Sequence, residues 1–137
     1  MNSKSKIGIG VVAVVIIIGL IAISGVSGPS FSGVSGLPSH AIVDNAPGSV
    51  HPGCEPNCFI PSVVTISSGG QVTFVNNYED IADHTTTSGS AADGPDGVWD
   101  SSLMYPGDSY TTPKLSSGEY PYFCMIHPWM TGVIIVK

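Results

Sequence analysis

From residue 62 onward, short β-branched runs alternate with turn signals, and this pattern most constrains the fold. The predicted strands are 62–67, 71–75, 84–88, 107–112, 118–124 and 132–136. No stretch after residue 24 keeps a 3.6-residue apolar period for ten residues, so little helix is expected. Short strands with turns at this spacing favour an all-β domain, either an antiparallel sandwich or a barrel. Residues 92–97 (ADGPDG) are predicted to be a solvated loop, because their spacing misses the calcium-binding pattern.

The amino-terminal segment is apolar and flanked by positive charge. Residues 7–23 contain no charge and follow Lys4 and Lys6. This asymmetry predicts that residues 1–6 form a basic cytoplasmic N-terminus and that the chain beyond the apolar run is exported. The run is long for a signal peptide and near the lower limit for a bilayer span, so we expect residues 7–26 to form a transmembrane helix. Cleavage of a signal segment, with secretion, is the alternative.

A Gly/Ser/Pro linker is predicted over residues 27–39. The pentapeptide SGVSG occurs at 24–28 and again at 32–36. Such a sequence buries too little apolar surface to offset its ordering entropy, so it should act as a flexible tether. The folded domain is therefore expected over residues 40–137, which is enough for one modest core, and we expect it to be monomeric.

The predicted domain is strongly acidic. All ten Asp and Glu residues of the chain lie in it against only Lys114 and Lys137, so its net charge is −8 with histidine neutral. Nucleic acid and anionic lipid surfaces are bound through Lys and Arg, so neither is an expected partner. A partner protein with a basic patch fits this charge, although the charge also serves to keep an exported domain soluble.

The three cysteines divide into a close pair and a single residue. Cys54 and Cys58 lie in GCEPNC, where Pro and Asn supply a turn that can bring the two thiols together in a disulfide. Cys124 is left over, and a free thiol in an oxidising compartment is a liability unless a metal occupies it. A zinc site built from His51, Cys54 and Cys58 is an alternative, but it lacks an evident fourth donor.

Metal donors recur at intervals of three in the segment YFCMIHPWM: Cys124, His127 and Met130. Two strong donors hold a transition metal poorly, so a third must come from His40, His51 or His84. His84 is the best candidate because it opens a β-rich run, where a side chain is held rigidly. One thiolate, two imidazoles and a weak thioether form the blue-copper set, which predicts one mononuclear copper that alternates between Cu(I) and Cu(II). Zinc is the rival metal, although structural zinc sites prefer more thiolates.

The order H…C-x2-H-x2-M resembles the ligand order of the cupredoxins, and the short final loop resembles that of amicyanin-like members. The segment FIPSVVTISSGGQVTFVNN, followed by ADHTTTSG, is similar to the plastocyanin and amicyanin pattern before the first histidine ligand. Membrane-tethered copper proteins of archaea are similar too. The resemblance covers residues 61–137. It implies a Greek-key β-sandwich with type 1 copper at one end, held by His84 and by Cys124, His127 and Met130 of the last loop.

The resemblance also implies roles for the residues around these ligands. His127 is expected to present its imidazole edge through an apolar patch lined by Met125, Pro128 and Trp129, which would serve as the electron port. The backbone N–H of Thr85 is expected to donate a hydrogen bond to the Cys124 sulfur and to tune the potential. The implied function is an exported one-electron carrier, not an enzyme, that shuttles electrons between redox partner proteins at the outer face of the membrane.

The last ligand leaves two alternatives open. If Met130 turns into the core instead, water or an open position would complete the site. The chain would then suit a small-molecule copper redox enzyme, for example one acting on nitric oxide or nitrite. Four histidines are too few for the second copper of nitrite reductases. Copper storage or delivery is the third candidate function.

Overall fold

The computed structural model describes residues 36–137. The predictions for residues 1–6, residues 7–26 and the first part of the linker therefore lie outside the described residues. Within 36–137 the chain contains no helix, and so no helical segment able to cross a membrane.

Nine strands form two sheets. In chain order they are β1 His40–Asn45, β2 Phe59–Ile60, β3 Val63–Ile66, β4 Gln71–Val75, β5 Thr87–Ser90, β6 Gly94–Asp100, β7 Ser109–Thr111, β8 Gly118–Phe123 and β9 Thr131–Val136. One sheet has the order β2-β1-β4-β7 and the other β3-β9-β8-β5-β6. The prediction of an all-β sandwich is confirmed, and strand β4 coincides with its predicted range.

The strand pairing is mixed, so the antiparallel pairing expected from the sequence is found in most pairs of strands but not in all. β1 pairs in parallel with β4, with Val43 opposite Phe74, and β3 pairs in parallel with β9, with Val64 opposite Ile134. The remaining pairs are antiparallel. Each parallel pair joins strands that are separated along the chain by at least two others, including one or more of the other sheet, and local sequence pattern does not encode such crossovers.

The prediction of a loop over residues 92–97 was wrong, because strand β6 begins inside this range at Gly94. β5 and β6 form an irregular hairpin, and hydroxyl groups of β5 donate hydrogen bonds to the carboxylates of residues 92–97. Ser88 donates to Asp96, and Ser90 donates to Asp93 over 2.8 Å. The Asp carboxylates therefore accept hydrogen bonds within the hairpin, whereas polar composition alone had suggested a solvated loop.

The core is built from alternating side chains of the two sheets. In β4 Val72 and Phe74 are fully buried while their neighbours are half-buried, as expected for a strand with one face inward. The Phe74 ring meets Tyr122 of β8 edge to face, with centroids 4.9 Å apart, and so links the two sheets. Tyr122 lies two residues before Cys124, so this packing fixes the end of β8 from which the last loop departs.

Candidate metal centre

His84 lies between β4 and β5 and is held by the backbone rather than within a strand. Its N–H donates to the Met104 carbonyl over 3.1 Å, and the Met104 N–H donates back over 2.8 Å. The strand predicted at 84–88 begins only at Thr87, so His84 sits on an isolated bridge at the end of the sandwich. The side chain is fully buried. The two backbone hydrogen bonds and the full burial leave this imidazole little freedom to move.

The last loop closes on itself between β8 and β9. The Cys124 N–H donates to the Met130 carbonyl over 3.1 Å, and the Met130 N–H donates to the His127 carbonyl over 2.9 Å. The loop starts one residue after β8 ends and stops one residue before β9 begins. Donors three apart on such a tight loop point towards one another instead of alternating across a sheet.

Three of the four predicted ligands converge. Nδ1 of His84 is 3.1 Å from Nδ1 of His127, and each of these nitrogens is 3.9 Å from the sulfur of Cys124. Nitrogen and sulfur ligands lie about 2.0–2.3 Å from a bound transition metal, so donors of one ion are at most about 4.5 Å apart. The observed spacing fits a single shared ion.

Burial sets the protonation of the two imidazoles. Removal from water lowers the pKa of His84, against the opposing charge of Asp80, and the neighbouring His127 lowers it further. Burial likewise lowers the pKa of His127, again opposed by Asp80. Both shifts favour the neutral ring, which is the form that binds a metal.

The Cys124 thiol is fully buried and unpaired with another cysteine. As the resemblance implied, the Thr85 N–H donates to its sulfur, over 3.3 Å. The Thr85 hydroxyl in turn accepts a hydrogen bond from the Met125 N–H over 2.8 Å. Thr85 thus ties the His84 segment to the last loop through both its backbone and its side chain.

Met130 is fully buried and belongs to the same apolar cluster as Cys124. Burial fits an axial thioether, and it equally fits the alternative in which the side chain packs in the core. Its ligation stays a prediction, as does the assignment of the other three ligands.

The predicted electron port is exposed at the end of the sandwich. Met125 is 48 % exposed and its neighbour Ile126, which sequence reasoning missed, is 46 % exposed. Pro128 is exposed as well, and the His127 and Trp129 rings are half-buried with centroids 5.3 Å apart. The loop therefore presents an apolar surface around the outer edge of one candidate ligand.

Two polar residues at the site were not predicted. Asp80 is 1 % exposed and lies 3.0 Å from Nε2 of His84, on the side of the ring opposite the sulfur. Ser49, which follows β1, donates its hydroxyl to the same carboxylate. The acid four residues before His84 was a visible signal, whereas nothing local pairs residue 49 with residue 84.

The remaining cysteines form a disulfide, Cys54–Cys58. Because neither then offers a thiolate, the alternative zinc site with His51 loses its strongest donors. Cys58 lies 4.0 Å from the Trp129 carbonyl, and the Trp129 indole donates to the Ser49 carbonyl over 2.9 Å. The disulfide segment therefore packs against the last loop. His40, the other unused histidine, lies in β1, 2.9 Å from the Thr73 hydroxyl.

No family model matches the chain. The chloroplastic plastocyanin of Chlamydomonas reinhardtii is 37 % identical over 86 residues, which cover 58 % of this chain and 58 % of that protein. The chain thus matches only a little over half the length of this relative. Among solved structures, the purple cupredoxin from Nitrosopumilus maritimus superimposes with a TM-score of 0.64 at 24 % identity, covering 71 % of this chain and 99 % of that one. Amicyanin from Paracoccus versutus gives 0.52 at 23 % identity, with 74 % and 91 % covered.

An enzyme is similar in part. The copper-containing nitrite reductase of Thermus scotoductus gives a TM-score of 0.50 at 28 % identity, covering 74 % of this chain but only 22 % of that one. The likeness is confined to a minor part of the enzyme.

The two-sheet fold is that of a cupredoxin, and a thiol and two imidazoles converge within it. In sequence it is plastocyanin-like, which confirms the resemblance seen in its motifs. The convergent donors fit copper, the cofactor expected from the sequence, because a thiolate with two imidazoles is the donor set of type 1 copper.

Proposed function

We propose that the chain is a one-electron carrier whose single copper ion is held by His84, Cys124, His127 and Met130. The observation that carries this proposal is the convergence of two nitrogens and one sulfur, from separate segments, to within 3.9 Å. When bound, copper supplies reversible exchange of one electron. The protein supplies donors whose positions are fixed by backbone hydrogen bonds, so that little rearrangement accompanies a change of charge.

The proposed route for the electron runs through the exposed edge of His127. Met125, Ile126 and Pro128 form an apolar rim around that edge, and such a surface suits brief contact with a partner protein. The acidic charge of the domain favours partners with a basic patch and accelerates their encounter at low ionic strength. The partners are proposed to be redox proteins rather than small substrates.

The carrier is proposed to be anchored in the membrane by residues 7–26, with its copper domain outside the cytoplasm. The apolar run, the lysines before it and the Gly/Ser linker after it support this arrangement. A tether would raise the effective concentration of the carrier near membrane oxidoreductases.

A second candidate is a small-molecule copper enzyme. The partial likeness to a nitrite reductase favours it, and so does an axial position left open if Met130 packs in the core. In that case nitrite or nitric oxide would bind at the open coordination position of the copper, and the chain would act as an enzyme instead of a carrier. Copper storage or delivery would instead require the ion to leave readily.

Metal titration followed by voltammetry tests the proposal on the purified chain. The carrier is expected to bind one copper per chain, to retain it against dialysis in both oxidation states and to give one reversible one-electron wave. Azide and nitrite should leave that wave unchanged. A preference for zinc, or a wave displaced by azide or nitrite, would contradict the carrier.

A further inference from the structure

The two nitrogens of the His84 imidazole face groups of different kinds. Its Nδ1 faces the Cys124 sulfur and the His127 ring, whereas its Nε2 lies 3.0 Å from a carboxylate oxygen of Asp80. A neutral imidazole carries a single N–H, and a carboxylate can only accept. The proton therefore belongs on Nε2, and the lone pair of Nδ1 is directed at the metal position.

The carboxylate of Asp80 is itself held in place. The Ser49 hydroxyl donates to the oxygen that faces His84, and the Ala82 N–H donates to the other oxygen over 3.3 Å. The Trp129 indole fixes the Ser49 carbonyl over 2.9 Å, so the loop that carries Cys124 and His127 helps to position this support. The network joins the segment after β1, the segment after β4 and the last loop.

The charge of Asp80 has no basic partner. Between residues 36 and 137, its only basic neighbour within 4.0 Å is the imidazole of His84, which is neutral in this arrangement, and the domain has only two lysines. The side chain is 1 % exposed, so water screens it poorly. A buried, unneutralised negative charge one ring away from the metal position favours the more positive state of that metal.

We propose that Asp80, supported by Ser49, is a positioning residue that fixes the tautomer and orientation of His84 and favours Cu(II) over Cu(I). This inference rests on the proposed copper site and deepens it. A carboxylate that accepts a hydrogen bond from a metal-binding histidine raises the basicity of that histidine, and its loss typically lowers the metal affinity 10- to 100-fold. The spacing of Asp80 from His84 is visible in the sequence, but the support from Ser49 is not, because Ser49 lies 31 residues away.

Two substitutions separate the hydrogen bond from the charge. Asp80→Asn keeps an acceptor oxygen and removes the charge, whereas Asp80→Ala removes both. Asp83→Asn is the matched control, because it removes an equal charge next to His84 from a residue that makes no hydrogen bond to the ring within residues 36–137. Ser49→Ala loosens the carboxylate without removing it, and it serves as a milder variant if Asp80→Ala does not fold.

The first measurement needs no metal. Nitrogen-15 NMR of the histidine rings in the metal-free chain should show His84 protonated on Nε2, and this preference should weaken in Asp80→Ala. The second measurement is the copper reduction potential. Asp80→Asn should weaken Cu(II) binding more than Cu(I) binding, and a tenfold difference would appear as a rise of about 59 mV. Asp83→Asn should shift the potential much less.

The inference is overturned if metal-free His84 carries its proton on Nδ1, or if Asp80→Asn moves the potential no further than Asp83→Asn. Failure of the copper site itself is distinguishable, because the unaltered chain would then lack copper binding while the tautomer measurement still reported on Asp80.

Discussion

The backbone N–H of Thr85 donates a hydrogen bond to the sulfur of Cys124 over 3.3 Å. This bond joins the residue after one candidate ligand to the side chain of another. A hydrogen bond to a metal-bound thiolate withdraws electron density from the sulfur and stabilises the reduced, less positive metal. It therefore gives the chain a means of raising its reduction potential.

Replacing Thr85 tests this effect. Thr85→Pro removes both the N–H and the hydroxyl, whereas Thr85→Ala removes only the hydroxyl that accepts from Met125. We expect the potential of Thr85→Pro to fall below that of Thr85→Ala, because only the proline variant loses the donor to sulfur. Voltammetry of the two copper-loaded variants makes the comparison, and equal potentials would show that the N–H does not tune the site.

Met130 decides between a closed and an open site. Met130→Leu conserves apolar volume and should cost less than about 1.5 kcal/mol of stability, while it removes the thioether. If Met130 is the axial ligand, the substitution should raise the potential and change the copper spectrum. Met104→Leu is the control, since Met104 is equally buried beside His84 but is not a proposed ligand. Identical spectra for the two variants would assign Met130 to the core alone.

The aromatic contact between the sheets should dominate the stability of the domain. Phe74→Ala removes a fully buried ring that packs against Tyr122, and we expect a loss of about 3–5 kcal/mol in the free energy of unfolding. Ile81→Ala, at a side chain that is 89 % exposed, should change it by less than about 0.5 kcal/mol. Urea unfolding of the metal-free variants measures both values, and comparable losses would contradict the description of the core.

The metal-free domain should become less stable as the pH falls from 7 to 5. Burial lowers the pKa of His84 and of His127 in the folded state, so the unfolded chain binds more protons once the pH drops below the ordinary histidine pKa of about 6.5. The free energy of unfolding therefore decreases as the pH falls through that value and below it. Urea unfolding across this range should show a shallower slope for His84→Gln than for His40→Gln, whose ring is exposed. Equal slopes would assign the pH dependence to other groups.

The parts of the site that lie close together in sequence were the predictable ones. Cys124, His127 and Met130 share one short loop, and the Cys54–Cys58 pair spans a single turn, so local spacing already placed these side chains near one another. The alternation of apolar and polar residues along β4 likewise predicted the sandwich, because a strand with one buried face has a period of two residues.

Contacts between segments that are far apart along the chain could not be predicted from the sequence. The parallel pairing of β1 with β4 brings Ser49, just beyond the end of β1, to Asp80, and no local pattern encodes that meeting. Strand β6 was missed for a related reason. Its Gly and Asp residues are typical of a loop, and the hydrogen bonds that its carboxylates accept from the hydroxyls of β5 are not visible in the sequence. Pairing partners, rather than intrinsic propensity, decided both cases.

We propose above all that Cys124 binds copper as a thiolate together with His84 and His127. The most direct test is the visible absorption and EPR of the purified chain after one equivalent of Cu(II) is added, with Cys124→Ser as the control. Intense thiolate-to-copper absorption and a type 1 EPR signal are expected, and both should disappear in Cys124→Ser. A chain that shows no such band while it binds zinc tightly, or a band that persists without the thiol, would contradict this proposal.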